Sequence, residues 1–118
     1  MEWNFRTDLP IYSQLIEQIK LAIVSGVFAP GALLNSVRDM AAEAGVNPNT
    51  LQRALQELER QGLVYSQRTS GRFVTEDTKV IDETKRALAR GQLADFLAAM
   101  KKLGYERAEI IALLEEEA

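Results

Sequence analysis

Apolar residues at Ile11, Leu15, Ile19, Ala22 and Ile23 recur at spacings of three and four, which predicts a first helix that Gly26 stops. Asp8-Leu9-Pro10 ahead of it supplies a capping candidate and a proline near the first turn, where a missing N–H costs nothing. Pro30-Gly31 marks a turn, and Ala32-Leu33-Leu34 is a short apolar stretch that forms a strand only if it pairs with something later. Ser36 with Asp39 resembles a capping box and opens a second helix from about Val37 to Ala44, ended by Gly45. Asn47-Pro48 restarts a helix at once, with Asn as cap and Pro as first helical residue, and this third helix continues to about Gln61 before Gly62. Two helices so closely joined have helix-turn-helix spacing.

Leu63–Arg68 and Arg72–Thr75 are rich in β-formers and flank Thr69-Ser70-Gly71, which predicts a hairpin with a glycine-containing tip. Helix, short strand, helix, helix and hairpin is the element order of a winged helix, with the stretch near Leu33 completing a three-stranded sheet. From Asp77 or Thr78 onward the pattern is helical again. Ile81, Thr84 and Leu88 make one stripe, and Leu93, Phe96, Leu97, Met100 and Leu103 make another, out of phase with the first around Arg90-Gly91. Either the helix kinks or restarts there, or it passes through with Gly91 at a close contact. A last helix from Glu106 to about Glu116 carries Ile110, Ile111, Leu113 and Leu114. The expected class is α+β, mostly α: a winged helix-turn-helix domain over residues 1–75, followed by a C-terminal helical dimerisation segment over residues 76–118.

With 118 residues the chain has room for one compact core and a short appendage. It has no cysteine and no histidine, which removes disulfides, thiolate metal sites and the commonest general base. Without a glycine-rich phosphate loop or paired-acid motif, the chain reads as a non-enzyme with no metal and no cofactor. No run approaches a membrane span, and Met1–Arg6 lacks the basic start and apolar stretch of a signal peptide, so the expected location is the cytoplasm.

The net charge of −3 argues, taken alone, against a nucleic-acid binder. Its distribution changes that picture. Through Thr75 seven basic residues balance seven acidic ones, and the whole acidic excess lies after Thr75. On a helical wheel, Leu51, Ala54, Leu55 and Leu58 of the third helix share one face, while Asn49, Arg53, Gln56 and Arg60 share the other, with Gln52 on a flank. Amides and guanidinium groups are the types that reach base edges. Arg38 stands at the start of the second helix, where the helix N-terminus also favours phosphate, and Arg68 and Arg72 bracket the hairpin tip. The candidate DNA-binding set is Arg38, Asn47, Asn49, Thr50, Gln52, Arg53, Gln56, Arg68, Gly71 and Arg72. Trp3, Tyr65 and Phe73 read as packing residues.

Several separate motifs, in order and at matching spacing, resemble the DNA-binding domain of GntR-family bacterial transcription regulators. They are Pro10-Ile11-Tyr12, Gly26–Gly31, Ser36–Ala41, Asn47–Ala54, Leu58–Leu63 and Gly71–Val74, covering about residues 9–75. The short tail and the Asn-Pro-Asn-Thr start of the third helix resemble the YtrA subfamily. The resemblance implies a dimeric winged-helix repressor on a palindromic double-stranded DNA operator, near transporter-type genes, with Arg38 where the family places a DNA-contacting arginine, Thr50 matching its recognition-helix threonine and Gly71 its wing-tip glycine. Gln52 stands where many relatives carry Arg, and Pro48 where many carry a polar or basic residue, so the base code of those relatives does not transfer. Asn35 stands where proline is common.

Amphipathic helices too few to bury both faces predict a homodimer, with Leu88, Leu93, Phe96, Leu97, Met100 and Leu103 as its interface. A small-molecule effector of unknown identity would act by changing the separation of the two reading heads. The competing reading is a winged helix used as a protein-interaction module without specific DNA binding.

Overall fold

The computed structural model describes residues Met1–Glu117, which form two compact units that divide between Lys85 and Arg86. The first contains α1 (Ile11–Val24), α2 (Val37–Ala44), α3 (Pro48–Arg60) and a hairpin of β1 (Val64–Gln67) and β2 (Gly71–Val74). Its core is made by the apolar stripes read from the sequence: Leu15, Ile19 and Ile23 of α1, Met40 and Ala41 of α2, and Leu51, Ala54, Leu55 and Leu58 of α3. Leu63, Val64 and Val74 close it from the hairpin side, and Ile81 joins it from beyond the hairpin. The unit therefore runs ten residues past Thr75.

Two local expectations are corrected. Asp8 does not cap α1, because Pro10 is the N-cap residue and no side chain accepts from the first N–H groups of the helix. Two residues upstream of that cap, the Asp8 carboxylate instead holds Arg6 at 2.6 Å. The three-stranded sheet is a two-stranded one, with Leu33 contributing a single antiparallel bridge to Phe73. Bonds from Gly31 N to Val74 O at 3.0 Å, and from Leu34 N to Arg72 O and Val74 N to Ala32 O at 2.9 Å each, join this short segment to β2 between the Pro30-Gly31 turn and the Ser36 cap.

Ahead of α1, two glutamines one helical turn apart fasten the N-terminal segment. Gln14 accepts from Arg6 N at 2.7 Å and donates to Arg6 O at 2.9 Å, and Gln18 accepts from Asn4 N at 3.2 Å and donates to Asn4 O at 2.7 Å. Each side-chain amide thus replaces a strand neighbour for one extended residue. Trp3 and Phe5, stacked at 5.9 Å, pack against the core.

α4 is one unbroken helix, Thr78–Lys102, and α5 runs Arg107–Glu117. α4 does not restart at Gly91, and a Cβ at Gly91 would meet nothing within 4 Å, so no close contact explains that glycine. A single glycine weakens a helix by about 1 kcal/mol without stopping it. In the second unit Ile110 is buried, whereas Leu93, Phe96, Leu103, Ile111 and Leu114 are exposed. Leu93, Phe96, Leu97, Ile110, Ile111 and Leu114 line an apolar groove of about 760 Å³, flanked by Lys101, Glu106 and Arg107. Among the described residues no helix is long and apolar enough to cross a membrane.

Candidate nucleic-acid interface

The joint between α2 and α3 fixes where the polar face of α3 points. Ser36 Oγ accepts from Asp39 N at 3.1 Å and starts α2. Gly45 ends it with φ of +71°, a left-handed conformation that costs glycine least, and Val46 N then bonds Ala41 O at 3.0 Å. Asn47 Oδ1 accepts from Asn49 N at 2.8 Å, with Pro48 as the first helical residue of α3. Every step of the turn is thus satisfied locally, and the two helices are held at one angle by Met40, Ala41, Leu51 and Ala54 packed beneath them.

With Leu51, Ala54, Leu55 and Leu58 all 1% exposed or less, the opposite face of α3 is turned outward. Asn49, Arg53 and Gln56 are exposed on it, and Thr50 and Gln52 are half-buried at its margins. Arg38 is exposed on the first turn of α2, and Arg68 and Gly71 are exposed on the hairpin. The expected set therefore lies on the surface of one unit, with the side chains of Asn47, Gln52 and Arg72 already hydrogen-bonded within it. Asn47 spends its side-chain oxygen on the α3 cap. Arg72, whose side chain is 17% exposed, is held by α3.

The hold on Arg72 is a network across three elements. Arg72 Nε donates to Glu59 Oε1 at 2.8 Å and Arg72 Nη1 donates to Gln52 Oε1 at 3.0 Å. Ser66, the cross-strand partner of Arg72, donates its hydroxyl to the same Glu59 oxygen. Partial burial pushes the Glu59 carboxyl up, but hydrogen bonds from Ser66 and Arg72 and the Arg72 charge outweigh it, so its pKa lies below the usual carboxylate value. The hairpin is thereby tied to the solvent side of α3. Gly71 itself has φ of +105°, so the return of the hairpin needs glycine for its backbone conformation, and a Cβ there would press on Leu33 Cδ1 at 3.3 Å.

Two further side chains act on the face from positions that the helical wheel does not reveal. Tyr12 of α1 lies under Arg53, with the guanidinium carbon 4.8 Å from the ring centroid, and this cation–π contact limits where Arg53 can reach. Glu57 takes Arg60 in a bidentate grip at 2.6 to 3.0 Å. Hydrogen bonds from Arg60 and then Gln61 bring the Glu57 carboxyl down to about 2. Arg60 is thus neutralised on its own helix and adds less to a phosphate-facing field than its place on the wheel implies. Tyr12, Glu57 and Glu59 carried no such signal in the sequence, because their roles depend on which elements pack side by side.

Comparison with known proteins agrees with this architecture. The family model described as bacterial regulatory proteins, gntR family, matches residues 11–74, from the start of α1 to the end of β2. The helix-turn-helix transcriptional regulator YhcF of Bacillus subtilis is 40% identical over 94% of this chain and 92% of its own length. The transcriptional repressor YtrA of the same organism is 33% identical over 94% of this chain and 86% of its own length. Among solved structures, a GntR family transcriptional regulator from Listeria monocytogenes superposes with a TM-score of 0.87 at 37% identity, covering 95% of this chain and 98% of that one. The AraR DNA-binding domain in complex with operator ORX1 superposes with a TM-score of 0.57 at 30% identity, over 64% of this chain and 96% of that one. The chain belongs to the GntR family of bacterial regulatory proteins, as a winged helix-turn-helix transcriptional regulator of the YtrA-like kind.

Proposed function

We propose that the protein is a cytoplasmic, homodimeric repressor that binds a palindromic double-stranded DNA operator near transporter-type genes. The observation that carries the DNA reading is the outward face of α3. Asn49 and Arg53 stand exposed at the helix end that enters a major groove, on a helix whose other face is sealed in the core. Arg38 at the N-terminus of α2 and Arg68 on the hairpin supply flanking phosphate contacts, with Thr50, Gln52, Gln56 and Gly71 between them. Asn47 and Arg72 contribute by holding α3 and the hairpin in place. The AraR domain, which shares this fold, is found on operator DNA, and YtrA is a repressor; both support the same reading for this chain.

Pairing of two copies is supported by the exposed apolar side chains of α4 and α5. A unit neutral through Thr75 makes few phosphate contacts, and joining two raises the effective concentration at the second half-site. The two copies read half-sites roughly 34 Å apart or a multiple of that distance. An effector would act through α4 and α5.

A mobility-shift titration against salt, using duplexes enriched from a random pool, tests this function. The expected result is log-linear weakening with several released counterions and a loss of about 1 to 3 kcal/mol on Arg53→Ala. Absence of duplex binding at low salt would instead leave a protein-interaction module.

A further inference from the structure

We infer that Arg72 is a positioning residue that makes Gln52 a donor-only reader of base edges, selecting guanine over adenine at one position of each half-site. This rests on the reading of α3 as the helix that enters the groove. A glutamine amide ordinarily offers a carbonyl acceptor and an N–H₂ donor, and it reads adenine by using both at once, accepting from N6 and donating to N7. That pairing needs both ends of the amide turned to the base.

Here the carbonyl end is turned to the hairpin. Gln52 Oε1 accepts from Arg72 Nη1 at 3.0 Å. The assignment of oxygen rather than nitrogen to that end is forced by chemistry, because a guanidinium has five donors and no acceptor. The bond is charge-assisted and so roughly twice as strong as a neutral one. Arg72 is itself held: Nε donates to Glu59 at 2.8 Å, and Glu59 is also held by Ser66 across the strand pair. With its side chain 17% exposed, Arg72 has limited freedom to release Gln52. Oε1 keeps a second lone pair, but at the end of the amide that Arg72 holds, so what Gln52 offers an external partner is chiefly the Nε2 donor pair. An edge that presents two acceptors side by side fits it, and in the major groove that edge is guanine N7 with O6; adenine replaces O6 with a donor. Gln52 thereby does the work for which an arginine is the commoner choice, with its polarity set by a residue on β2.

The experiment is selection of bound sequences from random duplexes by the full chain, wild type and Arg72→Met in parallel. Titrations follow on the selected duplex with all four base pairs placed in turn at the position that changes. The wild type is expected to prefer guanine to adenine there by about tenfold or more, from the usual worth of a bidentate base contact. Arg72→Met frees the carbonyl and moves the preference at that position to adenine, leaving the other positions unchanged, and Arg72→Lys, which keeps a cationic donor, retains guanine. A folded Arg72→Met variant that selects the same bases as the wild type overturns the inference, as does a wild type that prefers adenine at every position that responds to Gln52→Met. If circular dichroism shows Arg72→Met unfolded, 7-deazaguanine at the selected position decides with the wild type. A loss of about tenfold that vanishes in Gln52→Met supports the donor-only reading, and undiminished binding overturns it. A wild type that enriches no sequence and binds no duplex at low salt overturns the DNA reading itself, a failure distinguishable from the others.

Discussion

Met1–Lys85 has a closed apolar core, in which Leu15, Ile19, Leu51, Leu58, Leu63 and Val74 are all 0% exposed, although Leu21, Val27 and Leu33 stay at its surface. In the unit from Arg86 onward the balance is reversed, and Leu93, Leu103 and Leu114 are 54%, 72% and 55% exposed. The same residue type is spent on internal cohesion in one unit and left exposed in the other. Exposed apolar side chains on α4 and α5 are what the proposed pairing of two copies would cover. The first unit has a folding problem already solved, and the second, by the proposal above, has an assembly problem still to be solved by a second copy.

That contrast can be broken most sharply in the core. Leu58→Ala, at a position with 0% exposure, is expected to cost about 2 to 5 kcal/mol of folding stability in urea denaturation, whereas Leu103→Ala, measured in the unpaired chain at high dilution, should change it by less than about 0.5 kcal/mol. Equal effects would mean that the two units do not differ in the way described. The next largest effect belongs to assembly. Phe96→Glu, on a side chain 39% exposed beside the α4–α5 groove, is expected to shift the protein to monomer in sedimentation at micromolar concentration while its circular dichroism stays unchanged. A variant that remains dimeric would remove that face from the interface.

The smallest effect is electrostatic and lies in the first unit. Glu57 titrates at about 2 when folded, against an ordinary value of 4.5, so its grip on Arg60 and Gln61 stabilises the native state above 4.5 and is lost as pH falls toward 2. Glu57→Gln is therefore expected to lower the melting temperature slightly near neutral pH, with the difference from the wild type shrinking between pH 4.5 and 2. A difference that grows on acidification would contradict the assignment.

Legibility in the sequence followed the range of the interactions. The α2–α3 joint was readable because Ser36, Gly45, Asn47 and Pro48 each act within a few residues of themselves, and the core face of α3 was readable from periodicity alone. Asp8 misled because a capping residue type was present but two positions too early. The stretch at Leu33 misled in degree: its β-propensity is real, but the neighbouring turn and cap leave room for one bridge. The Gln52–Arg72–Glu59 network could not be read, since it joins residues 13 and 20 apart and depends on the hairpin register that sets Ser66 opposite Arg72. Arg72 was recognised as a basic residue near the tip, yet its charge is largely spent on Glu59. Conversely, Tyr12 carries meaning for Arg53 only because α1 lies against α3.

The central claim is that two copies present their α3 faces to one duplex. Its most direct test is the stoichiometry and affinity of the full chain on an enriched inverted repeat against the same duplex cut to one half-site. Two chains per inverted repeat, with binding to the lone half-site weaker by a factor of about 100 or more, is the predicted result. One chain per duplex with equal affinity for both, or no binding to either at low salt, would contradict it.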